Sequence, residues 1–265
     1  MRHYNVWQLA IAMIYWREVE SLAIVKQNVD REKPVPPEDV ELKYKPLLAY
    51  IQDQCSRVEL SSATSRCEIF QRSLRDGLTW NELYNEAKVL REAIFSDLPL
   101  RRFAHVATTK ATLLDKVSED WAKIVGKFSD AKDDSQSAVE CYALEQDTAC
   151  VFHLMRVAEI GLRSIARKLH IALTHKGKTC PIEYADWDKV ITAIKNKIEQ
   201  FRRLPAGPKR QQKIESYSDA ADHCLFMKDI WRNNVSHTRK PYKDTEALAA
   251  MGRVKEFMDF LAERL

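Results

Sequence analysis

Apolar residues recur along this chain at intervals of three and four, the period of a helix that turns one face to a core. Tyr4, Trp7, Ile11, Ile14, Glu18, Leu22 and Val25 mark one face of a long amphipathic helix. Lys33-Pro34-Val35-Pro36-Pro37-Glu38-Asp39 interrupts it, because proline cannot sit inside a helix. Helical spacing resumes at Leu47, Leu48 and Ile51. Thr79-Trp80-Asn81-Glu82 reads as a capping box opening a helix through Leu83, Ala87, Leu90 and Ile94, which Asp97-Leu98-Pro99 ends. A further helix carries Val106, Leu113, Val117, Trp121 and Val125.

Phe128 to Ser137 is polar, with Asp130, Asp133 and Asp134, and suggests a boundary near residue 128. The division expected is an N-terminal helical region over 1–128 and a helical bundle over 129–265. In the second part, Asp147 or Thr148 caps a helix with Val151, Leu154, Met155, Ala158, Leu162, Ile165 and Leu169 inward. Ile171 to Ala185 is loop-like. Asp186 caps a helix with Val190, Ile191, Ile194, Ile198 and Phe201. Leu204 to Pro208 is a turn. The next helix uses Tyr217, Ala221, Cys224, Leu225, Lys228 and Trp231, and Lys240-Pro241-Tyr242 cannot continue it. Asp244 or Thr245 caps a last helix with Leu248, Met251, Val254, Phe257, Met258 and Leu261 inward. Helices of this length on short connections predict an all-α protein whose C-terminal part is an antiparallel bundle.

Composition supports that reading and narrows the chemistry. With only 6 glycines and 9 prolines in 265 residues, the chain is poor in the turns a β-rich protein needs. A net charge of +4 permits contact with a polyanion but calls for that contact to be local. None of the six cysteines forms a C-x-x-C pair or a zinc-finger spacing. They read as reduced, buried thiols in a reducing cytosol, and no metal or cofactor is expected. No apolar run approaches the roughly 20 residues of a membrane span, and Trp16-Arg17-Glu18 stands where a signal peptide would have its cleavage site. A cytoplasmic protein without membrane contact is expected. Nucleotide-binding glycine loops, a G-x-S-x-G elbow and an H-E-x-x-H pair are all missing from the sequence.

The organised chemistry lies in Trp231-Arg232-Asn233-Asn234-Val235-Ser236-His237. An arginine holds a phosphate through paired hydrogen bonds, and a histidine transfers protons near neutral pH. In an unbroken helix the five-residue step from Arg232 to His237 is roughly 500°, which points the two side chains about 140° apart. The expectation is therefore that the helix ends at Arg232, with Asn233 or Asn234 as a left-handed cap, leaving His237 free to fold back. Arg163 and His170 make a wider pairing inside what reads as a continuous helix. Lys176 and Lys178 in one loop, Arg239 and Lys240 after the motif, and Arg210 among Arg202, Arg203, Lys209 and Lys213 could guide a phosphate backbone toward it. His175 is a further candidate contact. Glu159 needs a partner if it is buried, and Arg232, Arg156 and Arg163 are the candidates. His153 reads as a core or interface histidine.

Arginine, a polar residue, three more and histidine, between the last two helices of a C-terminal bundle, resembles the R-x4-6-H motif of the HEPN superfamily. The resemblance spans about residues 129 to 265, and Asp147 to Glu159 is similar to bacterial proteins that share this ending. It implies a metal-independent endoribonuclease of the toxin or abortive-infection kind, acting as a homodimer. The RNA 2′-hydroxyl attacks the adjacent phosphate, with His237 as general base or acid, Arg232 stabilising the phosphoryl oxygens and Asn233 orienting the histidine or the phosphate. It also implies an antitoxin or other regulatory partner. The alternative from the residues is a non-catalytic helical scaffold or nucleotide-binding module.

Overall fold

The computed structural model describes residues 6–175, 178–236 and 241–265. Among the described residues it is all-α apart from a single hairpin, and it divides into two compact units, Met1–Phe103 and Ala104–Leu265, each with its own core. The division lies before the polar stretch near residue 128 that suggests a boundary in the sequence. The helices between 104 and 127 pack with the second unit, since Trp121 and Ile124 are buried in its core.

The first unit runs α1 (Val6–Asp30), a single turn α2 (Pro37–Asp39), α3 (Lys45–Arg57), α4 (Ser61–Ser73) and α5 (Trp80–Asp97), with a π-turn at Val40–Tyr44 leading into α3. Pro37 opens α2 at its first position, where a missing N–H costs nothing. The proline segment is pinned by Val35 N–H donating to Leu78 O at 2.7 Å and Trp80 N–H donating to Lys33 O at 3.2 Å. The capping box of α5 forms as its residues predict: Glu82 N–H donates to Thr79 Oγ1 at 3.2 Å and Thr79 N–H to the Glu82 carboxylate at 2.8 Å. Those bonds hold the Glu82 carboxyl below the usual range.

Helix α1 corrects the sequence reading. An amphipathic helix turns its apolar stripe to the core, but here Trp7, Ile14, Leu22 and Val25 are exposed. Leu9, Ala12, Trp16 and Ala23 face α3 and α5 instead. The helix is apolar on both sides, and small Ala12 and Ala23 let it approach its neighbours closely. Trp16 selects the face: its Nε1–H donates to Ala87 O and its ring meets Phe70 edge-on at 5.6 Å. Tyr4, which belongs to the expected stripe, lies outside the described residues.

The second unit contains α6 (Thr108–Asp120), α7 (Ala122–Lys127), α8 (Lys132–Ala143), α9 (Asp147–Lys168), α10 (Trp187–Arg202), α11 (Pro208–Met227), α12 (Asn233–Ser236) and α13 (Asp244–Arg264). Helix α9 is central and touches α8, α10, α11 and α13. All seven positions expected inward on α9 are buried. On α13 Leu248 is exposed and Ala247 takes the inward place, while Met251, Val254, Phe257, Met258 and Leu261 are buried as expected. Asp186 stands at the N-cap of α10 as expected, though its side chain makes no cap hydrogen bond, while Asp147 is the first residue of α9 and Asp244 lies in the first turn of α13. A carboxylate in a first turn still meets the positive end of its helix.

Residues 171–185 are not simply a loop. Leu173–His175 (β1) and Lys178–Cys180 (β2) pair antiparallel, with Thr174 opposite Thr179. Strands of three residues are too short for two-residue alternation to show in a sequence. Among the described residues no helix is long and apolar enough to cross a membrane.

Candidate functional site

Arg232 does not end a helix. From Met227 the chain widens into a π-turn, Lys228–Arg232, and resumes as α12 through Ser236. Asn233 is right-handed, with φ −64° and ψ −37°, and its N–H donates to Lys228 O. The left-handed cap expected at Asn233 or Asn234 is therefore absent: both residues lie within α12. His237 lies outside the described residues, as do Lys176, Arg239 and Lys240.

The π-turn has visible causes. Trp231 is buried and meets the Phe226 ring edge-on at 5.5 Å. Lys228 is nearly buried but ion-paired to Asp188 on α10, and to Asp229 at 3.1 Å, which keeps its ammonium protonated to higher pH than usual. One extra residue in the turn lets both side chains reach their partners. Two carbonyls of the turn accept hydrogen bonds from side chains. The Tyr242 hydroxyl is shared between Trp231 O at 3.0 Å and Ile230 O at 3.3 Å, and Asn234 Nδ2 donates to Ile230 O at 2.6 Å. Burial pushes the Tyr242 phenol up. Tyr242 N–H donates to Thr148 Oγ1 at 3.0 Å, which ties the chain after residue 240 to the start of α9. π-turns inside helices are frequent at functional sites.

Arg232 is half-buried, with its guanidinium carbon 5.7 Å from the centroid of the Trp187 ring. The flat cation lies over an aromatic face, and among the described residues no carboxylate pairs with it. Asn233 is half-buried beside it. A shallow groove of about 460 Å³ opens between the hairpin and α10. Leu173, Thr174 and Cys180 form one side, and Asp188, Thr192 and Asn196 the other. Asp188 joins the groove to the Lys228 turn. Lys178 is exposed on the hairpin, opposite His175 in the register.

Other expected contacts have local uses. The Arg210 guanidinium donates to Phe201 O at 3.0 Å and Arg202 O at 2.7 Å, closing the C-terminus of α10 rather than facing outward. Arg163 pairs with Glu159 at 2.9 Å, one of the partners expected for that carboxylate. His153 bonds Asp134 at 2.8 Å, and Arg156 donates to the same carboxylate. His170 is not helical: it follows α9 at φ 51°. Sequence reasoning missed Trp187, Asp188, Lys228 and Tyr242 as builders of this site, because their roles depend on which helices meet. The one signal present was Lys228 at a position predicted inward, since a buried ammonium requires a carboxylate.

No family model matches this chain, and neither the curated proteins nor the solved structures contain a match to it.

Proposed function

We propose that this chain is a HEPN-like endoribonuclease that cuts RNA without a metal ion, working in the cytoplasm as a homodimer in phage defence or a toxin–antitoxin pair. One observation carries the reading: Arg232 is held over Trp187 with no carboxylate pairing among the described residues, on the last helical turn before His237. An arginine left without a carboxylate and braced by an aromatic ring is prepared for an anionic guest. The guest proposed is the scissile phosphate. The 2′-oxygen attacks phosphorus, its proton passes to an imidazole, and the P–O5′ bond breaks as the leaving oxygen gains a proton. His237 serves that transfer, Arg232 holds the charge on the phosphoryl oxygens, and Asn233 orients one of them. Lys178 and the basic residues 239 and 240 attract the backbone, a local field that fits a net charge of only +4.

Expression of wild type beside Arg232→Ala and His237→Ala, with growth and RNA integrity followed, tests the reading. Wild type arrests growth and degrades RNA once any regulatory partner is absent, and both variants leave RNA intact. Equal RNA integrity in all three favours a non-catalytic scaffold.

A further inference from the structure

We infer that Asp188 is a positioning residue: through Lys228 it fixes the register of the π-turn and so holds Arg232 over Trp187. Its bearing on RNA rests on the nuclease reading above; its bearing on the turn does not. The π-turn starts at Lys228 and ends at Arg232. Helix α10 grips both ends with its first two residues. The Trp187 ring lies 5.7 Å from the Arg232 guanidinium carbon, and the Asp188 carboxylate accepts from the Lys228 ammonium. Consecutive α-carbons are about 3.8 Å apart, so both grips share one short piece of backbone, itself anchored by the buried Trp187 ring.

A π-turn is an α-helix carrying one inserted residue, a rare form that neighbouring contacts must hold. Its return to the α-form turns the chain beyond it through about 100° and moves it by ~1.5 Å. Arg232 closes the turn, so that displacement carries its guanidinium off the ring. Whatever holds the wide form therefore decides where Arg232 points. The bonds from Tyr242 and Asn234 to Ile230 O, and from Tyr242 to Trp231 O, tie the turn to the chain that follows it. The bond from Lys228 to Asp188 ties it to α10, where the partner ring of Arg232 stands.

Charge balance alone does not call for Asp188. Lys228 is 9% exposed and needs an anion, and Asp229, its neighbour in the chain, already supplies one at 3.1 Å. A carboxylate from a second helix adds what Asp229 cannot. Asp229 moves with the turn, whereas Asp188 belongs to α10 and gives the ammonium a fixed direction. The first turn of α10 also favours an anion at this position, since it meets the positive end of the helix.

The full chain carrying Asp188→Ala, Asp188→Glu, Lys228→Met or Arg232→Ala tests the inference. Asp188→Ala keeps its fold, because the Asp188 side chain is 72% exposed and Lys228 retains Asp229. Lys228→Met puts an apolar side chain of similar length into the nearly buried place. The near-ultraviolet circular dichroism of wild type minus that of Arg232→Ala isolates the Arg232–Trp187 contact. Asp188→Ala and Lys228→Met are each expected to lose roughly half or more of that difference. Asp188→Glu keeps most of it, and Asp188→Ala changes nothing further in the Arg232→Ala background. On a short RNA, Asp188→Ala lowers kcat by about tenfold or more with KM within roughly twofold of wild type, and Asp188→Glu recovers the rate. Variants that lower the unfolding midpoint but keep the wild-type spectrum overturn the inference. So does a spectral change that persists in the Arg232→Ala background, or Asp188→Ala cutting at the rate of an active wild type. The spectra need no RNA. A wild type that cuts nothing, with the expected spectra, ends the nuclease reading and leaves the positioning role; cleavage by wild type with unmoved spectra does the reverse.

Discussion

The Tyr242 hydroxyl supports two carbonyls of the π-turn, while its backbone N–H anchors the chain to Thr148. It therefore braces the Arg232 segment from the far side of residues 237–240. Losing a buried hydroxyl that serves carbonyls costs about 1–3 kcal/mol. Tyr242→Phe should lower the urea midpoint of unfolding by a corresponding amount without changing the denaturant slope, and unchanged stability would mean that water replaces the hydroxyl. Single residues were unevenly legible from the sequence. Arg232 and Asn233 stand out by type and order, and Glu159 finds one of its expected partners in Arg163. Tyr242 and Trp187 are ordinary aromatic residues until the connection and the helix that carry them meet Arg232 or its turn, and no local spacing encodes that meeting.

Helices α9 and α13 approach so closely at Gly161 that a methyl group there would lie 2.7 Å from Met258 Sδ, 2.8 Å from Phe257 Cε1 and 2.9 Å from Leu261 Cδ1. In a helix interior alanine is otherwise the better residue, so the contact decides the sign. Gly161→Ala overpacks the joint and should destabilise the fold by about 1–3 kcal/mol, read by thermal or chemical unfolding. A rise in stability would show that the α9–α13 seam is looser than described. Most elements were readable because burial on one side imposes a period of three to four, and α9 matches its expected stripe throughout. Two kinds of element were not. Helix α1 is apolar on both sides, so periodicity finds a stripe but not which stripe faces in. Helix ends were also missed where capping bypasses the usual residues. Glu59, Glu145 and His170 occupy left-handed positions at φ 59°, 60° and 51°, where glycine is the common choice. The π-turn escaped for a related reason: it inserts one residue without any proline or glycine to announce it.

At the scale of the whole molecule, the fold class followed from the scarcity of turn-forming residues and from helical spacing along the chain. Division into two units was legible, but its position was not, because a polar stretch marks solvent rather than the edge of a core. Global stability carries a pH signature from His223. Its ring stacks on Phe257 at 5.9 Å and on Phe260 at 6.1 Å, and burial, then Arg253, lowers its pKa against the opposing pull of Glu256, Asp219 and Asp222. The unfolded chain takes up this proton near pH 6.5 and the folded chain only at lower pH. Stability is therefore full above that value and falls as the pH drops through the window below it. Thermal unfolding of wild type against His223→Phe between pH 8 and 5 should show wild type losing more on acidification, and parallel curves would remove His223 from the account.

The nuclease reading is tested most directly with purified protein, a short RNA, and the same oligonucleotide in DNA, all in excess chelator. Wild type is predicted to cut the RNA alone, leaving a 2′,3′-cyclic phosphate and a 5′-hydroxyl, with Arg232→Ala and His237→Ala each at least a hundredfold slower, about 2.7 kcal/mol of lost transition-state stabilisation. Cleavage of the DNA, or RNA cleavage that survives both substitutions, would contradict it.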